Sequence, residues 1–143
     1  MRRTLSRLNK LSFDVFDSID PTPRYTISFW HGILGSKKNW RTVAKNFLEA
    51  NPSFSATTID HRGHGDSISD GSRPNTIRSC AEDLDDLYKS EDYELTIGIT
   101  PPTILSAHSF GGKVALEYLK IWKEHNNPIP KYTWIRFPCR KVC

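Results

Sequence analysis

Only three cysteines occur in the 143 residues: Cys80, Cys139 and Cys143. An odd number, with no histidine at metal-ligand spacing, argues against a disulfide scaffold and a zinc module and fits free thiols in a reducing compartment rather than secretion. Long apolar runs are missing too, since none approaches the roughly 18 residues that a membrane-crossing helix needs. Acid is absent from both ends. All 16 Asp and Glu lie between Asp14 and Glu124, a stretch with 12 Lys and Arg and a net charge of −4, so the formal +4 of the whole chain comes from bases in residues 1–10 and 126–143. A nucleic-acid-binding domain carries its bases on the folded core. Here the core is acidic, and no nucleic-acid partner is expected. With 37% hydrophobic and 25% charged residues, the chain reads as globular rather than disordered or fibrous.

The basic ends divide the chain into three. Residues 1–12 contain arginine, serine and leucine but no acid, with Leu5, Leu8 and Leu11 every three residues. They read as a basic tail or a targeting leader, so the expected compartment is cytoplasmic or mitochondrial. Residues 13–135 carry the domain, and 136–143 form a divergent basic tail.

Within the domain, strands are expected at Leu11 to Phe16, Tyr25 to Trp30, Phe54 to Ile59 and Thr103 to Ala107. Between them lie helical stripes. Trp40, Val43, Ala44, Phe47 and Leu48 follow a cap at Ser36. Ile77, Ala81, Leu84 and Leu87 or Tyr88 follow one at Asn75 or Thr76, and Val114, Ala115, Tyr118, Leu119 and Trp122 mark a third helix. Glu82, Asp83, Asp85 and Asp86 are expected on the solvated side of the second helix, which a loop ending in Pro101-Pro102 follows. Strands alternating with helices imply an α/β fold with a mostly parallel sheet flanked by helices.

At the last strand-to-helix junction stands Ala107-His108-Ser109-Phe110-Gly111-Gly112. A serine flanked two residues away on both sides by small residues is the pattern of a nucleophile elbow, a turn so tight that bulk at either flank would strike neighbouring backbone. Ala107 stands where glycine is usual, adding one methyl. The Phe110 N–H then opens a helix whose dipole favours an oxyanion. A second donor is expected where Tyr25 to Trp30 ends in His31-Gly32-Ile33; Ile33 N–H is the first choice and Leu34 the second. No metal or cofactor is called for.

These residues carry a resemblance. From about Leu11 to Lys123 the chain resembles the α/β-hydrolase superfamily. The segments "HGILGSKKNW", "IDHRGHGDS" and "SAHSFGGKVALEYL" look like its branch of small acyl esterases and thioesterases related to mitochondrial abhydrolase-domain proteins. The resemblance implies the N-terminal half of that fold, Ser109 as acyl-enzyme nucleophile, and Ile33 and Phe110 as the oxyanion hole. It also implies a site-shaping role without proton transfer for the "HRGHGDS" loop, and a small ester or thioester substrate. Trp30 departs from the smaller apolar residue usual before His31-Gly32.

The triad order of this fold is Ser, then Asp or Glu, then His. After Ser109 there is no Asp; Glu117, Glu124 and His125 are the remaining candidates. His125 sits 16 residues along the same expected helix, about 24 Å away. His31, His61 and His64 read as loop and packing residues, and His108 is expected to point away from the serine hydroxyl. "YTWI" at Tyr132 resembles the start of the strand before the family's acid, but Arg136 to Cys143 follows instead. The expectation is a member shortened at its C-terminus, the ending reading as translated intron or shifted frame, with weak or no turnover. A non-catalytic hydrolase-like binding or interaction protein is the alternative. The phosphate-binding G-x-x-x-x-G-K-[ST] loop is a poorer match, because Ala107 and Val114 replace two of its key residues.

Overall fold

The computed structural model describes residues 2–5, 11–67, 71, 73–98, 101–125 and 132–136, with backbone alone for the first and last of these ranges. Among the described residues six strands form one sheet: β1 (Arg2–Leu5), β2 (Phe13–Phe16), β3 (Tyr25–Trp30), β4 (Phe54–Ile59), β5 (Ile104–His108) and β6 (Tyr132–Arg136). Their spatial order is β1-β2-β4-β3-β5-β6. The pairs β3–β4, β3–β5 and β5–β6 are parallel, whereas β1–β2 and β2–β4 are antiparallel. β3 and β4 fall on the expected residues. β1 was not expected: Arg2–Leu5 pairs with Phe16–Phe13 at the sheet edge, an alignment set by backbone hydrogen bonds that no side-chain periodicity announces.

Helices cover both faces. α1 (Arg41–Ala50), preceded by a 3-10 turn at Lys37–Trp40, packs on one side, and α2 (Ile77–Tyr88), α3 (Glu91–Ile97) and α4 (Phe110–Glu124) cover the other. Alternation along β3 supplies both layers. Ile27 and Phe29 join Ala44, Leu48 and Ala56 under α1, while Trp30 joins Leu84, Tyr88, Val114 and Tyr118 under α2 and α4. A strand buried on both faces usually reads as a continuous apolar run; β3 departs from that with Thr26 and Ser28, both buried. Trp30 is fully buried, and its indole N–H is shared between Ser28 Oγ at 2.9 Å and Tyr88 OH at 3.0 Å, so the departure from a smaller residue is accommodated.

α3 occupies part of the expected loop. Ser90 accepts a hydrogen bond from the Tyr93 N–H, three acids occupy the first turn, and Gly98 at φ 71° closes the end, each a local helix signal. Seven residues are too short for an apolar stripe; only Tyr93 and Ile97 are buried. Among the described residues, no helix is long and apolar enough to cross a membrane.

Candidate active site

Ser109 lies between the last residue of β5 and the first of α4, at φ 53°, ψ −111°. That backbone is rare for a residue with a side chain and costs of order 1–3 kcal/mol, held only because strand and helix on either side are fixed by packing. Ala107 is buried and pairs with Trp30 across the parallel ladder. Gly111 has no room for a side chain: a Cβ there would stand 2.6 Å from the His31 carbonyl oxygen and 2.7 Å from that of Trp30. The missing side chain lets α4 rest on the end of β3. Gly111→Ala is therefore expected to destabilise the fold by about 1–3 kcal/mol, the range for overpacking, read as a lower urea midpoint with an unchanged slope.

The other half of the site follows β3. The Gly35 N–H donates to the Gly32 carbonyl at 3.0 Å, closing a turn whose centre is Ile33 and Leu34, with Leu34 at φ 62°. Gly32 touches the elbow: a Cβ built on it would lie 3.0 Å from His108 Nδ1 and 3.4 Å from Ser109 Cβ. A depression of about 380 Å³ joins the two halves, bordered by Gly32, Ile33, Leu34, Trp40, Val43 and Ser109 among others. Ile33, Leu34 and Val43 are exposed apolar side chains at its rim, so the helix stripe expected to bury Val43 in the core instead lends it to this surface. His108 also borders the depression, and among the described residues no hydrogen bond joins it to Ser109.

Next to this surface His31, His61 and His64 cluster. The His31 and His61 ring centres are 4.6 Å apart, His31 and His64 5.1 Å, and both His61 and His64 lie against Phe110, at 5.5 and 6.0 Å. His31 Nδ1 bonds the Gly32 carbonyl at 2.8 Å, while its Nε2 accepts the His61 N–H at 3.1 Å. Burial lowers the His31 pKa, and burial pushes that of His61 down to about 3, helped by repulsion from His31 and His64. Both rings of His31 and His61 are thus neutral near pH 7. His125 caps the far end of an unbroken α4, 3.8 Å from Asp85, remote from Ser109 as expected.

The loop after β4 is built around buried charge. Asp60 and Lys37 are both buried. Asp60 accepts from the Lys37 N–H at 2.6 Å, from Lys37 Nζ at 2.8 Å and from the Asp66 N–H at 2.9 Å; Lys37 Nζ also donates to Ser12 Oγ and Asp66. Gly65, at φ 54°, leaves the space that the Asp60 carboxylate fills. Arg62 forks onto Asp83 at 2.6 and 3.2 Å and donates to the carbonyls of Arg73 and Pro74. Asp83 and Asp85 are 5% exposed, so two of the four acids expected in solvent are interior. Arg62, midway through the loop, was the available signal: a buried guanidinium needs a carboxylate partner.

A serine on a strained strand-to-helix turn at the C-terminal edge of parallel strands, facing a glycine turn on the neighbouring strand, is the arrangement of an α/β hydrolase. The family described as "alpha/beta hydrolase fold" matches residues 25–131, and the chain belongs to it. Among curated relatives, the sn-1-specific diacylglycerol lipase ABHD11 of Danio rerio is 38% identical over 115 residues, 80% of this chain and 32% of that protein. Its counterpart in Mus musculus is 32% identical over 106 residues, 74% of this chain and 31% of the relative. The chain thus spans about a third of the length of these relatives. Solved structures agree on the fold: a marine microorganism esterase superposes with TM-score 0.62 at 22% identity, over 89% of this chain and 40% of its own. Potato (Solanum tuberosum) epoxide hydrolase I superposes with TM-score 0.64 at 17% identity, over 96% and 39%.

Proposed function

We propose that this chain carries the nucleophile and oxyanion half of a serine hydrolase acting on carboxylic esters or thioesters. The observation that carries the reading is the strained backbone of Ser109 beside Gly32 at the mouth of the depression. In the reaction, Ser109 Oγ attacks the acyl carbon, and its proton passes to a base. The carbonyl oxygen gathers negative charge between the N–H groups of Phe110 and Ile33, and the alcohol or thiol departs with a proton, leaving an acyl-serine that water cleaves. Phe110 opens α4, so its N–H has no partner within the helix. Each oxyanion donor of this kind contributes about 3–4 kcal/mol to the transition state. The apolar rim of Ile33, Leu34, Trp40 and Val43 suits an apolar acyl group, and the diacylglycerol in the relatives' name is an ester of that class.

The base is the weak point. Glu117 and Glu124 are paired with Arg78, His125 is remote, His31 has both ring nitrogens occupied, and His108, though it borders the depression, makes no hydrogen bond to Ser109 among the described residues. That shortage favours the second reading, a hydrolase-like chain that binds acyl ligands or partners without turnover. An assay of the purified chain with p-nitrophenyl acetate, beside Ser109→Ala, separates the two. Slow release of p-nitrophenol is expected from the wild-type chain and at least tenfold less from the variant. Equal rates in both, with no labelling of Ser109 by a fluorophosphonate, would leave the binding reading.

A further inference from the structure

The Gly32–Ile33 peptide is one planar trans unit, so its carbonyl and its N–H point in opposite directions. Its carbonyl is held by two donors, the Gly35 N–H at 3.0 Å and His31 Nδ1 at 2.8 Å. With the oxygen drawn into the turn, the Ile33 N–H is turned out of it, and Ile33 borders the depression that contains Ser109. We propose that His31 is a positioning residue of the oxyanion hole: its Nδ1–H pins the Gly32 carbonyl and so aims the Ile33 N–H at the charge that forms on the substrate oxygen.

This proposal rests on the hydrolase reading for its purpose, though not for its geometry. The tautomer follows from the partners. A neutral imidazole has one donor and one acceptor nitrogen; His31 Nε2 faces the His61 N–H at 3.1 Å and must accept, so the proton sits on Nδ1. The loop after β4 therefore sets the protonation of a residue at the end of β3, which sets the direction of a peptide in the next turn. Leu34 at φ 62° shows why a clamp is needed, since a left-handed leucine in the middle of the turn makes its conformation costly by itself. Gly35 assists by its size. A Cβ there would meet the Gly32 carbonyl oxygen at 2.9 Å and His31 Cβ at 3.1 Å, so only a glycine brings its N–H close without displacing the clamp.

Two substitutions divide the functions of the ring. His31→Asn places an amide N–H two bonds beyond Cβ, where Nδ1 stood, and keeps the pin while losing the acceptor for His61. His31→Gln reaches the Nε2 position, and keeps that acceptor while losing the pin. The first readout needs no chemistry: amide hydrogen exchange at Gly35 in the 15N-labelled full chain. Protection there is expected to fall about tenfold in His31→Gln, on the scale of one hydrogen bond, and to stay within about threefold of wild type in His31→Asn. The second readout is the amide shift that methylboronic acid, a tetrahedral mimic on Ser109, induces at Ile33. It is expected in the wild type and His31→Asn and lost in His31→Gln, with the Phe110 shift kept in all three. Equal Gly35 protection in the two variants overturns the positioning role. Absence of any boronate shift in the wild type overturns the hydrolase reading instead, and the exchange data still decide how His31 holds the turn.

Discussion

Asp60→Ala is expected to lower the stability of the domain by about 3–5 kcal/mol, the cost of removing one partner of a buried ion pair. Lys37 is 0% exposed and Asp60 1% exposed, so the ammonium cannot turn to water when its carboxylate is gone. Burial by itself would lower the lysine's pKa, but the hydrogen bonds and charges of Asp60 and Asp66 outweigh it and hold the group above its ordinary value. Asp66 is largely exposed and replaces only part of that support. The alanine also orphans the N–H groups of Lys37 and Asp66, which Asp60 accepts. Against a typical total of about 5–15 kcal/mol, such a loss leaves a large unfolded fraction at 37 °C. Urea unfolding followed by circular dichroism measures it. The double variant Lys37→Met with Asp60→Leu is expected to be less damaging than Asp60→Ala alone, because no unpaired buried charge remains. If the single variant unfolds at the wild-type midpoint, the ion centre does not hold the loops.

Acid is expected to destabilise the protein well before its carboxylates titrate. His61 is buried, makes no side-chain hydrogen bond from either ring nitrogen, and has its pKa pushed down to about 3 by burial, against about 6.5 in an unfolded chain. Between those values the unfolded state binds a proton that the folded state refuses, so stability is fully present above about pH 6.5 and is lost as pH falls toward 3. The slope is about 1.4 kcal/mol per pH unit for one such group. His31 acts in the same direction, its pKa lowered chiefly by burial. The carboxylates held below their usual range, Asp20, Asp66, Glu117 and Glu124, add their loss only below about pH 4. Urea midpoints measured at pH 7, 6 and 5 are expected to fall steadily, and His61→Leu is expected to flatten the fall. An unchanged midpoint down to pH 5 would mean that His61 takes up its proton without unfolding.

Much of the candidate site could be read locally. The small residues around Ser109, the glycine turn after Tyr25–Trp30 and the Thr76 cap are signals contained within a few positions, and the structure places elements on them. The buried charges could not be read in this way. Asp83 and Asp85 stand beside Glu82 and Asp86 on the same helix, and nothing in that run says which acids meet Arg62, 21 residues earlier in the case of Asp83. Lys37 stands beside Lys38 with no acid nearby in the chain, and its partners Ser12 and Asp60 are 25 and 23 residues away. Periodicity reports which face of an element is apolar; it does not report a partner contributed by another loop.

The sequence by itself determined the order of β2 to β5 with α1, α2 and α4 between and after them, the family, and the serine at the strand-to-helix junction, because each depends on residue size, capping or apolar spacing over short stretches. Tertiary structure alone decided the antiparallel edge strand, the inward turn of Asp60, Lys37, Arg62 and Asp83, and the bond from His31 to the Gly32 carbonyl. Those are contacts between segments brought together by the sheet, where removal from water makes the pairing of each polar group obligatory.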